Sequence, residues 1–189
     1  VTDFEDGKIY VVEFWATWCG PCIQSMPHLV ELQERHRENG VQIVSISDED
    51  LETVEGILER DYPGKEGVTF AELTSAYTLT VDPDGSSTDD YMRAANQNGI
   101  PAAFLVGKTG LIEWIGHPMS LDEPLEQVIE GTWDREAFKE SMARQQRLEE
   151  AMQKVNRLAG EGNFDDAIKV IDKILEEFKD VDDEMGQSV

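Results

Sequence analysis

The first half of the chain alternates short apolar runs with amphipathic stretches. Ile9–Phe14 (IYVVEF) is an apolar run broken by a single acid, the pattern of a buried strand. W-A-T-W-C-G-P-C follows, and Pro21 stands where a helix's first turn tolerates a missing N–H. Met26, Leu29 and Leu32 share one helical face, which predicts a helix running to about Asn39. Gly40 should end it and Pro27 should kink it. Val41–Ser47 (VQIVSIS) predicts a second strand. Asp48 is expected to cap a helix over Asp50–Arg60, which Tyr62-Pro63-Gly64 ends. A third strand is expected over Ala76–Val81, before the turn residues Asp82-Pro83-Asp84-Gly85. Then come a helix over Thr88–Asn96 and a break at Asn98-Gly99-Ile100-Pro101. A hairpin of Ala102–Val106 with Leu111–Ile115 and a closing helix over Asp122–Gly131 complete the set. Helices alternating with strands imply an α/β sheet covered on both faces.

From Asp134 onward the strand signals stop. Asp134–Ala159 reads as one helix with Leu148, Met152 (or Ala151), Val155 and Leu158 on a stripe, ended by Gly160-Glu161-Gly162. Asn163 should cap a second helix whose stripe is Phe164, Ala167, Ile168, Ile171, Ile174, Leu175 and Phe178. The organisation expected is therefore a domain over residues 1–133, a helical hairpin over 134–180 and a disordered tail over 181–189.

Charge narrows the function. With 40 acids and 16 bases the formal charge is −24, and the isoelectric point lies near 4.2. Such a field repels phosphate backbones and anionic membrane surfaces, and no Lys/Arg patch stands out, so nucleic-acid binding is excluded. A composition that is 40% hydrophobic is globular despite the charge. No apolar run reaches the roughly 18 residues of a membrane span. The chain begins at Val1 without a basic-then-apolar leader, so it reads as a mature or excised piece. The charge is uneven: residues 1–133 hold 7 bases and 25 acids, and the remainder 9 and 15.

Chemistry concentrates on Cys19 and Cys22, the chain's two cysteines. The expected strand-to-helix turn puts Cys19 at a helix N-terminus, where free N–H groups and the positive dipole end stabilise a thiolate. The short loop also brings the sulfurs within disulfide reach. A two-step exchange follows: Cys19 attacks a substrate disulfide and Cys22 resolves the mixed disulfide. Half of a zinc site and a purely structural disulfide are the competing readings; the other zinc ligands are missing. His28, His36 and His117 show no ligand spacing, so no metal is expected.

V-V-E-F-W-A-T-W-C-G-P-C resembles the active-site strand and loop of the thioredoxin superfamily. Pro27 stands where that family kinks its helix, and Asn98-Gly99-Ile100-Pro101 resembles its cis-proline loop. The resemblance implies a thioredoxin-like fold, a central mixed sheet flanked by helices. It makes Pro101 the cis-proline and Ile100 the substrate-facing backbone, with Trp18, Gly20 and Pro21 around the cysteines. Residues 48–100 leave room for an added helix and strand, as in TlpA/ResA-like members of the redoxin group. That likeness implies an extracytoplasmic, periplasmic setting, with a cytoplasmic one as the alternative. It also implies disulfide-containing protein substrates, an upstream thiol electron donor and no cofactor beyond the Cys19–Cys22 disulfide.

Two departures matter. Ser25 stands where many such reductants have a glutamate. Glu13, six residues before Cys19, occupies the position of thioredoxin's buried acid and would accept the resolving thiol's proton; the plainer reading is an outward-facing strand glutamate. The segment Gly162–Phe178 resembles the second helix of a tetratricopeptide repeat. One such unit cannot bury its faces alone, so it would pack in cis, bind a partner protein or self-associate. The functional reading is a reductant of protein disulfides. The alternatives are a peroxiredoxin-like peroxide reductase, whose P-x-x-x-T-x-x-C setting is absent, and a non-enzymatic adaptor using the hairpin.

Overall fold

A computed structural model describes the backbone of residues 4–185 and the side chains of residues 4–176. The chain divides into two compact units, residues 1–133 and 134–189.

The first unit is built on a five-stranded sheet of order β3-β2-β1-β4-β5. β1 (Ile9–Phe14) is the central strand and every residue in it is buried. It pairs in parallel with β2 (Val41–Ser47), from Ile9 opposite Val41 to Phe14 opposite Ile46. On its other side it pairs antiparallel with β4 (Ala102–Val106), from Phe14 opposite Ala102 to Tyr10 opposite Val106. β3 (Thr78–Val81) lies parallel to β2, and β5 (Ile112–Gly116) antiparallel to β4. A strand flanked on both edges and covered on both faces has nowhere to place polar groups, which is why IYVVEF is almost wholly apolar.

Alternation along the strands sorts the core into two layers. Val12, Phe14, Val44, Ile46 and Phe104 face one side with Met92. There Phe14 and Tyr91 both pack on the Phe104 ring, at centroid distances of 5.7 and 5.3 Å. On the other side Leu79 and Val81 pack against a cluster holding Cys19, Cys22, Met26, Val54, Ile57, Tyr62 and Phe70. Glu13, Ser45 and Leu79 share that second face by register.

Helix α1 (Gly20–His36) covers this face and ends in a 3-10 turn, Arg37–Asn39, with Gly40 at φ 78°. Pro27 lies inside α1, and its missing N–H leaves the Ile23 carbonyl without its usual helical donor. The Tyr62 hydroxyl donates to that carbonyl at 2.9 Å. Gln33 performs a similar repair on β2. Its amide donates to the Val41 carbonyl at 2.9 Å and accepts from the Ile43 N–H at 2.7 Å, ahead of the point where β3 begins.

The segment between β2 and β4 differs in detail from the sequence expectation. Helix α2 spans Leu51–Leu58, and its cap is Asp50 rather than Asp48: the Asp50 carboxylate accepts the Thr53 N–H at 2.8 Å. A short helix, α3 (Phe70–Leu73), was not expected; Thr69 and Glu72 form a reciprocal capping box on it. β3 starts two residues late, at Thr78, because Thr74–Ala76 is a 3-10 turn. Thr88–Arg93 is a π-helical turn rather than an α-helix reaching Asn96. The wider turn lets Tyr91 and Met92, adjacent in sequence, both pack on the sheet. His117 caps a 3-10 turn, Pro118–Ser120, by accepting the Met119 N–H, and α4 (Asp122–Glu130) follows and ends at Gly131, φ 75°.

The second unit is a helical hairpin. α5 (Arg135–Gly160) is capped by Asp134, whose carboxylate accepts the Ala137 N–H. α6 (Phe164–Met185) packs back along it after Gly162 at φ 79°. α6 continues through Asp180, where a disordered tail was expected, since no Gly or Pro occurs before Gly186. Phe178 lies outside the described side chains and residues 186–189 outside the described residues.

Candidate active site

β1 ends at Phe14 and the chain runs through Trp15 and Ala16, both buried, before turning into α1. Cys19 is the N-cap of α1, in extended conformation, and its Sγ accepts the Cys22 N–H at 3.2 Å. Pro21 stands in the helix's first turn, where no donor is lost. Cys19 and Cys22 form a disulfide with Cα atoms 5.2 Å apart. Both cysteines are buried, Cys19 4% exposed and Cys22 1%. Trp18, Gly20 and Pro21 are exposed around it, Trp18 at 72%.

The peptide bond between Ile100 and Pro101 is cis. Ile100 packs against the cluster that contains both cysteines. Trp18 and Ile100 also line a groove of about 520 Å³, walled by Phe14, Ile46 and Met92 and rimmed by Asp48 and Arg93. The residues that the sequence nominated around the sulfurs thus meet at one end of the sheet.

Glu13 is 2% exposed and lies on the sheet face that α1 covers, not outward. Burial pushes its carboxyl up to about 7, and the Ser45 hydroxyl lies opposite it on β2. Oε1 of Glu13 and the hydroxyls of Ser45 and Tyr77 are buried without a hydrogen-bond partner. Burial, then the nearby Glu13 charge, also raises the Tyr77 phenol. A carboxyl poised near neutrality on the cysteines' side of the sheet is suited to taking and returning a proton.

Glu49, which the sequence analysis did not single out, has a place beside the site. The Glu49 carboxylate accepts from the Thr17 N–H and the Thr17 hydroxyl, both at 2.7 Å, and from the Ser47 hydroxyl at 3.0 Å. It therefore ties the end of β2 to the loop two residues before Cys19. Its partner is 32 residues away, so no local pattern could have shown it. Ser25 is fully buried and donates to the Cys22 carbonyl at 2.8 Å. Among the described residues no group of three or more His, Cys, Asp or Glu is placed to hold a metal ion, and no helix is long and apolar enough to cross a membrane.

The model of the AhpC/TSA family matches residues 1–115, which contain the whole of this site. The chain belongs to the AhpC/TSA family. Among its relatives is Protein FixW of Rhizobium leguminosarum, 28% identical over 84% of this chain and 70% of that one. The thiol:disulfide interchange protein HelX of Rhodobacter capsulatus is 31% identical over 70% of this chain and 67% of its own. The thiol-disulfide oxidoreductase ResA of Geobacillus kaustophilus is 30% identical over 66% and 63% respectively. In structure, the chain resembles a thiol:disulfide interchange protein from a Bacteroides species. The TM-score is 0.51 at 21% identity, over 66% of this chain and 74% of the other. That likeness carries the thioredoxin-like fold of the first unit.

Proposed function

We propose that this chain is a thiol-disulfide oxidoreductase that reduces protein disulfides, with Cys19 as nucleophile and Cys22 as resolving thiol. The observation that carries the reading is Cys19 at the N-cap of α1. The helix N–H groups lie at its sulfur, with the Cys22 N–H already bonded to it. In the reduced protein the same N–H groups and helix dipole favour a thiolate there.

The Cys19 thiolate attacks one sulfur of a substrate disulfide. A Cys19–substrate bond forms, and the substrate's other sulfur leaves as a thiolate. Cys22 passes its proton to the Glu13 carboxylate and attacks Cys19 Sγ. The second substrate thiolate departs, and the Cys19–Cys22 bond closes. Two electrons have moved from the dithiol to the substrate, and an upstream thiol donor must return them. Trp18, Gly20 and Pro21 form the lip over which substrate approaches, and the Ile100–Pro101 backbone is its platform. The likeness to ResA- and HelX-type proteins supports disulfide-bearing proteins as substrates and an extracytoplasmic setting.

The test is turnover of insulin disulfides with a dithiol donor, by wild type and by Cys19→Ser and Cys22→Ser variants. Turnover by wild type and by neither variant is expected. Cys22→Ser should also accumulate a covalent complex through Cys19. Absence of dithiol-dependent turnover sinks the reading, and peroxide consumption in its place establishes the peroxide-reductase alternative.

A further inference from the structure

Helix α6 carries two apolar rows. Ala167, Val170 and Ile174 form the inner row, buried or half-buried. Phe164, Ile168, Ile171 and Leu175 form the second, exposed at 63, 54, 40 and 58%. Their spacing alternates four and three residues, the seam of a helix that packs on another helix. α5 adds exposed Leu148 and Met152, at 40 and 49%.

Both sets lie on one broad face of the hairpin. A cleft between the helices gathers Arg147 and Lys154 from α5 with Lys169 and Lys173 from α6. At about 100° per residue, the α6 cations sit roughly 150° around the helix from its exposed row, and the α5 cations roughly 130° from Leu148 and Met152. The cations of both helices share one face, so the apolar rows of both fall on the other.

We infer that this apolar face is the contact between two copies of the chain, which close through their hairpins into a four-helix bundle. Size supports the assignment. At roughly 200 Å² for each large apolar side chain in full, the six fractions amount to about 600 Å², the upper end of what a monomer exposes. Two such faces bury about 1,200 Å², the lower bound for a specific interface. Charge points the same way. Residues 1–133 carry a net −18 and residues 134–189 a net −6, so contact through the hairpin joins the least repelled parts of two acidic chains. A two-fold contact asks only that one face complement itself, and paired helical hairpins commonly do so as four-helix bundles.

The full chain is examined by sedimentation or light scattering from about 1 to 100 µM, a range that brackets ordinary dimer affinities. A two-chain particle is expected, tightening as salt rises and screens the repulsion. The double variant Ile168→Lys/Leu175→Lys should weaken the dimer roughly hundredfold or more while insulin turnover persists. Ile168→Leu should leave the dimer intact. Helicity by circular dichroism accompanies each variant. If the lysines unfold the hairpin, Phe164→Gln/Leu175→Gln replaces them with good helix formers. A wild type monomeric at the highest concentration overturns the inference. So does a dimer that survives the substitutions with helicity unchanged. Protection of the seam from hydrogen exchange in a monomer would show instead that the chain covers it in cis.

Discussion

Replacing Glu13 with glutamine should change how the stability of the oxidised protein depends on pH. In the unfolded chain Glu13 loses its proton near 4.5; in the fold it holds it to about 7. Between those values the native state binds the extra proton, so stability falls as pH rises, and it levels off above about 7. Below 4.5 the contribution is fully present. The interval corresponds to about 3 kcal/mol, at ~1.4 kcal/mol per pH unit. Glu13→Gln removes this titration but keeps the shape. Urea unfolding of both proteins from pH 4 to 8 gives the difference in stability at each pH. The other carboxylates and any constant offset from the amide cancel in the slope of that difference. The variant should gain about 3 kcal/mol on the wild type across the series, most of it between pH 5 and 7. A difference flat with pH would show that Glu13 ionises like a surface glutamate, and its role as proton acceptor near neutrality would go with it. In the same variant, release of substrate from the mixed disulfide at pH 7 should slow about 10²-fold or more, the usual worth of a positioned base.

Three further substitutions follow from the packing. Tyr62→Phe leaves the Ile23 carbonyl that Pro27 cannot serve without a donor, and should lower unfolding free energy by about 1–3 kcal/mol in urea titrations. Glu49→Ala frees the Thr17 loop and should cost about 1–3 kcal/mol; it should also lower kcat/KM for insulin reduction, with Glu49→Gln recovering part of both. Gly116→Ala would place a Cβ 2.8 Å from Cη2 of the buried Trp114 ring, and a loss of about 1–3 kcal/mol with a shifted Trp114 near-UV signal is expected.

Strong local patterns read through from sequence to structure. β1 and β2 begin and end where their runs do, because both are interior strands whose every position but Gln42 is buried. Pro21 marked the turn because a helix's first turn is where proline costs no hydrogen bond, and Cys19 stands two residues ahead of it. The cis bond before Pro101 came from the family's loop, not from any property of Ile100 or Pro101 themselves. The segment between β2 and β4 was read less well. Two acids compete to cap α2, and the choice of Asp50 over Asp48 depends on which reaches the Thr53 N–H. Thr69 and Glu72 did carry a capping signature, but the four-residue helix behind it is too short for periodicity to show. The roles of Glu49 and Tyr62 were invisible because their partners lie 32 and 39 residues away.

The antiparallel pairing of β1 with β4 also sets an order of events. Ala102, the residue of β4 opposite Phe14, follows Cys22 by 80 residues. A chain made from its N-terminus at ~5–20 residues per second carries its cysteines for roughly 4–16 s before the strand that completes their surroundings exists. During that interval the thiols of the nascent chain are unsheltered and β1 has one free edge. Until β4 arrives, the two thiols stand without the strand that later closes the sheet beside them.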